Sequence, residues 1–197
     1  MNDNFVSRKD RIVASAIEII SDLGLTALTT KNLAHKENMS EGLLYKYFGG
    51  IDDVLAEVVD YYCKFDKGIR QTVLSKDGSY VEKIMDYFVA YATYYDNYYA
   101  ISTLMLQYEE LLHNVNTREK IAWCISERMS FIEELFKNAI DNNEIIDTIT
   151  PHELAVSVTG ITMAHILDRR IAYRRQSFKN ELLLNLRKWL DIIKVEE

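Results

Sequence analysis

One proline, Pro151, and seven glycines are the only strong breakers in 197 residues. Proline removes a backbone donor and glycine loses the most entropy in regular structure, so chains built from many tight turns use both freely. A chain this poor in them is expected to be all-α. The apolar spacing agrees. Ile12, Ala16, Ile19, Ile20 and Leu23 share one face of a helix over residues 9–23. The pattern predicts about nine helices and no strand. Gly24 suits the residue that ends the first.

Residues 25–48 encode two short helices around a tight turn at Glu37-Asn38-Met39. Thr29 or Thr30 can cap one helix and Ser40 the other, with Glu41 in its first turn. Leu33, Ala34, Leu44 and Phe48 face inward, leaving small, polar and aromatic residues on the rim. A helix of this kind fits the major groove of DNA. Gly49-Gly50 then breaks the chain. A fourth helix is expected from residue 52 towards 74, as a link between this head and the rest.

Beyond it, Ser79-Tyr-Val-Glu82 and Thr150-Pro-His-Glu153 have capping-box spacing, the second with proline at the first helical position. They start helices expected to run to about residues 95 and 173. Others are expected over about 97–112, 117–141 and 178–193. The domain reading is 1–50 for the head and 51–197 for the body.

Charge is uneven. The net charge is -7, yet residues 1–50 hold six Lys/Arg and six Asp/Glu, so the excess acid lies in the body. Acidic bulk away from a reading head limits non-specific attraction to nucleic acid. The basic run at 168–175 sits where a helix C-terminus favours cations. Cys63 and Cys124 have no metal spacing, which fits a reducing cytoplasm. His152 and His165 lie about 20 Å apart at 1.5 Å per helical residue, too far to share a metal. No apolar run reaches the roughly 20 residues of a membrane span. No Ser/His/Asp set, phosphate loop or zinc spacing appears, so no enzyme activity, cofactor or metal is expected.

The run Ser-x-Gly-x-Leu-Tyr-x-Tyr-Phe, residues 40–48, resembles the TetR (tetracycline repressor) family of bacterial transcription regulators. The likeness extends over 8–55 through Arg8-Lys9, Ile12, Ala16, Gly24, Thr29-Thr30, Leu33-Ala34 and Leu55. It implies a three-helix helix-turn-helix DNA-binding domain on a helical ligand-binding and dimerisation domain. It also implies DNA contacts from Thr30, Lys31, Ser40, Glu41, Gly42, Leu43, Tyr45, Lys46 and Tyr47. Two positions depart from the family: Leu43 stands where threonine is usual, and Ile51 where lysine is usual.

The resemblance implies a homodimer through the last two helices. Their stripes are Leu154, Val158, Ile161 and His165, and Leu182, Leu183, Leu186, Trp189, Leu190 and Ile193. Eight of the 13 tyrosines fall between Tyr80 and Tyr108. Tyr87, Tyr91, Tyr94 and Tyr98 are spaced as one helical stripe. With Met105, Tyr108, Trp123 and His165 they are the expected walls of a pocket for a small lipophilic or aromatic effector. The sequence therefore reads as a ligand-responsive regulator, most directly a repressor released from a palindromic double-stranded operator. The rival reading is a helical protein-protein interaction module without DNA binding.

Overall fold

The computed structural model describes residues 7–172 and 177–195. Among them are eleven α-helices and no strand. The nine expected helices are present, two of them divided. They fall into two compact units, Met1–Lys64 with Thr103–Trp123 and Phe65–Ser102 with Cys124–Glu197. The first thus takes in a fourth helix and a later segment that a boundary at residue 50 leaves in the body.

The first unit holds α1 (Arg8–Leu23), α2 (Thr30–Lys36), α3 (Glu41–Leu44) and α4 (Ile51–Cys63). The Ser7 hydroxyl accepts from the Asp10 amide and starts α1; Gly24, at φ 89°, ends it. Ile12, Ile20, Leu33, Leu44 and Val58 are fully buried and form the core of this unit. Each such side chain removed from water contributes roughly 1.5–3 kcal/mol. A later 3-10 turn and α8 (Tyr108–His113) complete the unit. There the Tyr62 and Tyr108 hydroxyls are hydrogen-bonded to each other.

The second unit holds α5 (Asp66–Leu74), α6 (Tyr80–Asn97), α7 (Tyr99–Ser102), α10 (Pro151–Ile171), α11 (Phe178–Ile193) and most of α9 (Arg118–Asp141). Both predicted capping boxes form, at Ser79/Glu82 and Thr150/Glu153. α11 lies along α6 and buries Leu182, Leu186 and Leu190. The Glu144 carboxylate accepts from the Tyr80 and Val81 amides at 2.9 and 2.8 Å, so a loop residue caps α6. An isolated antiparallel bridge pairs Ile145 with Lys194.

The helix expected over 52–74 divides at Lys64, whose N–H reaches Tyr61 O, three residues back, at 3.3 Å. Tyr98, at φ -126° and ψ 71°, leaves the helical region and ends α6, so the helix expected over 97–112 begins at Tyr99. A 3-10 turn over Thr103–Gln107 then separates α7 from α8. The expected end of α10 near residue 173, and residues 173–175 of the basic run, lie outside the described residues. No helix among the described residues is long and apolar enough to cross a membrane.

Candidate nucleic-acid interface

α2 opens behind Thr29, whose hydroxyl accepts from the Asn32 amide at 3.1 Å. It ends in a left-handed residue, Asn38, at φ 50°. The Asn38 and Met39 amides bond back to His35 O and Ala34 O at 3.1 and 2.9 Å. This pair closes the end of α2 and reverses the chain, and asparagine tolerates the conformation better than most residues. The Ser40 hydroxyl then accepts from the Leu43 amide at 3.2 Å and starts α3. The regular helix is only four residues, Glu41–Leu44, followed by a tight turn through Tyr47.

Leu44 and Phe48 are buried and clamp this segment to the unit. Ser40, Glu41, Gly42, Leu43, Tyr45, Lys46 and Tyr47 are exposed, as is Lys31; Thr30 is half-buried. Behind the surface, Gly49 admits the Asp53 carboxylate, which accepts from its N–H at 2.8 Å. A Cβ at Gly49 would meet that oxygen at 2.7 Å.

The cations of the head are largely committed to acids. Arg8 and Arg11 both lie 3.8 Å from the nearly buried Glu37 carboxylate, which also accepts from the Ser15 hydroxyl at 2.6 Å. Lys9 pairs with Glu57, and Lys36 with Glu18 at 2.8 Å. Lys31 and Lys46 form no ion pair among the described residues. Across the turn, the Thr30 hydroxyl donates to the Glu41 carboxylate at 2.6 Å.

In the second unit Tyr87 and Tyr91 of the tyrosine stripe are packed core. The Tyr87 ring lies 4.7 Å from Tyr91 and 5.3 Å from Phe131. The Asp66 carboxylate takes both Nε–H and Nη2–H of Arg128, at 2.7 and 2.9 Å, and the Tyr91 hydroxyl at 2.6 Å. The Cys124 thiol donates to it at 3.3 Å. Arg128 also donates to the Tyr95 hydroxyl at 3.2 Å, and its guanidinium sits 5.1 Å from the centre of the Tyr91 ring. Burial pushes the Tyr87 and Tyr91 hydroxyls up from the ordinary 10.0, against the pull of Arg128. Sequence reasoning missed this buried pair, because Asp66 and Arg128 lie 62 residues apart and match no motif.

The eight expected pocket residues divide between the units: Met105, Tyr108 and Trp123 in the first, and Tyr87, Tyr91, Tyr94, Tyr98 and His165 in the second. Tyr87, Tyr91 and Met105 are buried, and Tyr94 and Tyr108 half-buried. Tyr98 is 54% exposed and Trp123 60% exposed. His165 stands half-buried, its Nε2 3.2 Å from the Asn185 amide on α11. A mainly apolar groove of about 320 Å³ lies instead between α5 and α6. Phe65, Gly68, Ile69, Val73, Val89 and Ala90 contribute to its lining. Phe65 also meets the Tyr94 ring edge-on at 5.2 Å.

The stripes read for the last two helices also turn inward in large part. Leu154, Val158, Leu182, Leu186, Leu190 and Ile193 are buried within the chain; Ile161, His165, Leu183 and Trp189 are half-buried. The apolar side chains left outside are Val156, Leu167 and Ile171 on α10, and Leu184 and Ile192 on α11. Helical spacing held that signal too: Val156, Gly160, Ala164, Leu167 and Ile171 follow one face at steps of four, four, three and four.

Two short capped helices with an exposed rim, joined in sequence to a helical body, define a helix-turn-helix. Residues 12–58 match the family model for bacterial regulatory proteins, tetR family. The fold as a whole matches solved TetR-like structures. The ketosteroid transcriptional regulator KstR2 of Mycobacterium tuberculosis superposes with a TM-score of 0.85 at 14% identity, covering 96% of both chains. The TetR family transcriptional regulator PfmR of Thermus thermophilus gives 0.75 at 17%, covering 95% of this chain and 100% of that one. The transcriptional regulator FadR of Bacillus subtilis, solved in complex with stearoyl-CoA, gives 0.71 at 16%, covering 88% and 94%. No curated protein sequence matches the chain.

Proposed function

We propose that the protein is a homodimeric transcription repressor whose two heads read a palindromic operator and whose body binds a small lipophilic effector. The exposed rim of residues 40–47, fixed from behind by buried Leu44 and Phe48, carries the reading. In it, Thr30, Lys31, Tyr45 and Tyr47 meet phosphates and set register. Ser40, Glu41, Gly42 and Leu43 approach base edges, with Lys46 beside them. Heads paired across a twofold axis would enter successive major grooves about 34–36 Å apart.

The exposed apolar residues of α10 and α11 supply a surface for the second copy, and isologous pairing is the commonest way to cover such a face. The groove between α5 and α6 supports the effector reading, as does the apolar character of what the similar regulators are named for or solved with, ketosteroid and stearoyl-CoA. The effector releases DNA by binding the non-reading state more tightly, and the coupling is reciprocal.

The test is a gel shift with the duplex upstream of the protein's own gene, alongside size-exclusion chromatography. Tyr45→Ala and Lys46→Ala should each lose retention of the duplex while elution as a dimer persists. Retention unchanged in both variants would remove the reading.

A further inference from the structure

Glu41 is an acid on the surface that the proposed function brings against a polyanion, and among the described residues of the head no cation pairs with it. Every arginine of the head, together with Lys9 and Lys36, is paired with another acid. Its partner is the neutral Thr30 hydroxyl, at 2.6 Å. A carboxylate offers about four acceptor directions, so one hydroxyl leaves most of them open. The hydroxyl does not neutralise the charge; it restrains a side chain with many rotamers. The Thr30 hydroxyl is available for this because the cap of α2 is Thr29 and that of α3 is Ser40, and the phosphate contact proposed for Thr30 falls to its backbone N–H at the start of α2.

We infer that Glu41, held by Thr30, selects an amino base at the operator position it faces, cytosine before adenine, and rejects guanine and thymine. The inference rests on the DNA-binding reading. Desolvating a carboxylate in the major groove is favourable only where a donor meets it. Guanine presents N7 and O6, and thymine O4, all acceptors that repel the charge. Cytosine presents its N4 amino group. Adenine presents N6 beside the acceptor N7, so it satisfies the carboxylate and opposes it at once. Glu41 is the specificity-determining residue and Thr30 its positioning residue.

The experiment selects sites for the full-length protein from a randomised duplex pool. It then measures affinity for all four bases at each enriched position. One position should favour cytosine over guanine or thymine by about tenfold. Glu41→Gln should move the preference there to adenine, whose N6 and N7 suit a carboxamide. Thr30→Val should shrink the cytosine preference several-fold and Thr30→Ser restore it, with melting temperatures unchanged. Base preferences that stay the same at every position in Glu41→Gln and Glu41→Ala would overturn the inference while leaving DNA binding intact. A wild-type pool with no enriched sequence would instead overturn the DNA-binding reading, and the inference with it.

Discussion

Two groups of tyrosines in this chain have opposite surroundings. Tyr45 and Tyr47 stand exposed on the rim of the head, while Tyr87, Tyr91 and Tyr95 are sealed in the second unit. The exposed pair is fixed through its neighbours, since Leu44 and Phe48 hold the backbone and leave the rings outside. The buried group is fixed through its own hydroxyls, two of which join the Asp66–Arg128 pair. A tyrosine whose hydroxyl finds a partner inside strengthens a core; one whose hydroxyl is left in water remains available to a ligand.

The largest expected effect lies in the buried group. Arg128→Met strands the Asp66 charge and should cost about 3–5 kcal/mol of stability, measured by urea denaturation. Tyr47→Ala should change stability by no more than about 0.5 kcal/mol. Equal losses in the two variants would erase the contrast. A finer cut uses Tyr91→Phe, which removes a hydroxyl bonded to a carboxylate and should cost about 1.5–3 kcal/mol. Tyr45→Phe should leave stability alone and weaken only DNA retention.

The smallest effect is in alkali. The native Tyr87 and Tyr91 hydroxyls titrate above the ordinary value of 10.0. Their contribution is therefore complete below the unfolded value and drains away as pH climbs past it, because the unfolded chain loses its protons first. Tm should fall above pH 10, and the tyrosinate absorbance removed by Tyr87→Phe and Tyr91→Phe should lie above the ordinary value. Absorbance lost below that value would count against the burial of these hydroxyls.

Much of the head is legible in the sequence. Ser40, Leu44 and Phe48 act over a few residues, and caps and inward-facing anchors leave local marks. The starts of α6 and α10 were readable for the same reason. Breaks were harder. At Lys64 and over Thr103–Gln107 no glycine or proline marks the division, and apolar residues continue through both. Contacts distant in sequence were not legible at all: nothing near Asp66 announces Arg128, and nothing near Thr30 announces Glu41. The last two helices carry apolar residues on more than one face. Spacing alone found one set there, and only packing distinguished the side turned inward from the side left out.

The internal pairing of the head's cations bears on how a duplex would be gripped. Salt weakens protein–DNA association in proportion to the phosphates that protein cations neutralise. With Lys31 and Lys46 the lysines left without an ion pair among the described residues of each head, two heads would displace on the order of four counterions. Occupancy of a site would then vary only modestly with ionic strength and answer chiefly to the effector, so the regulator's state would report chemistry rather than osmotic conditions.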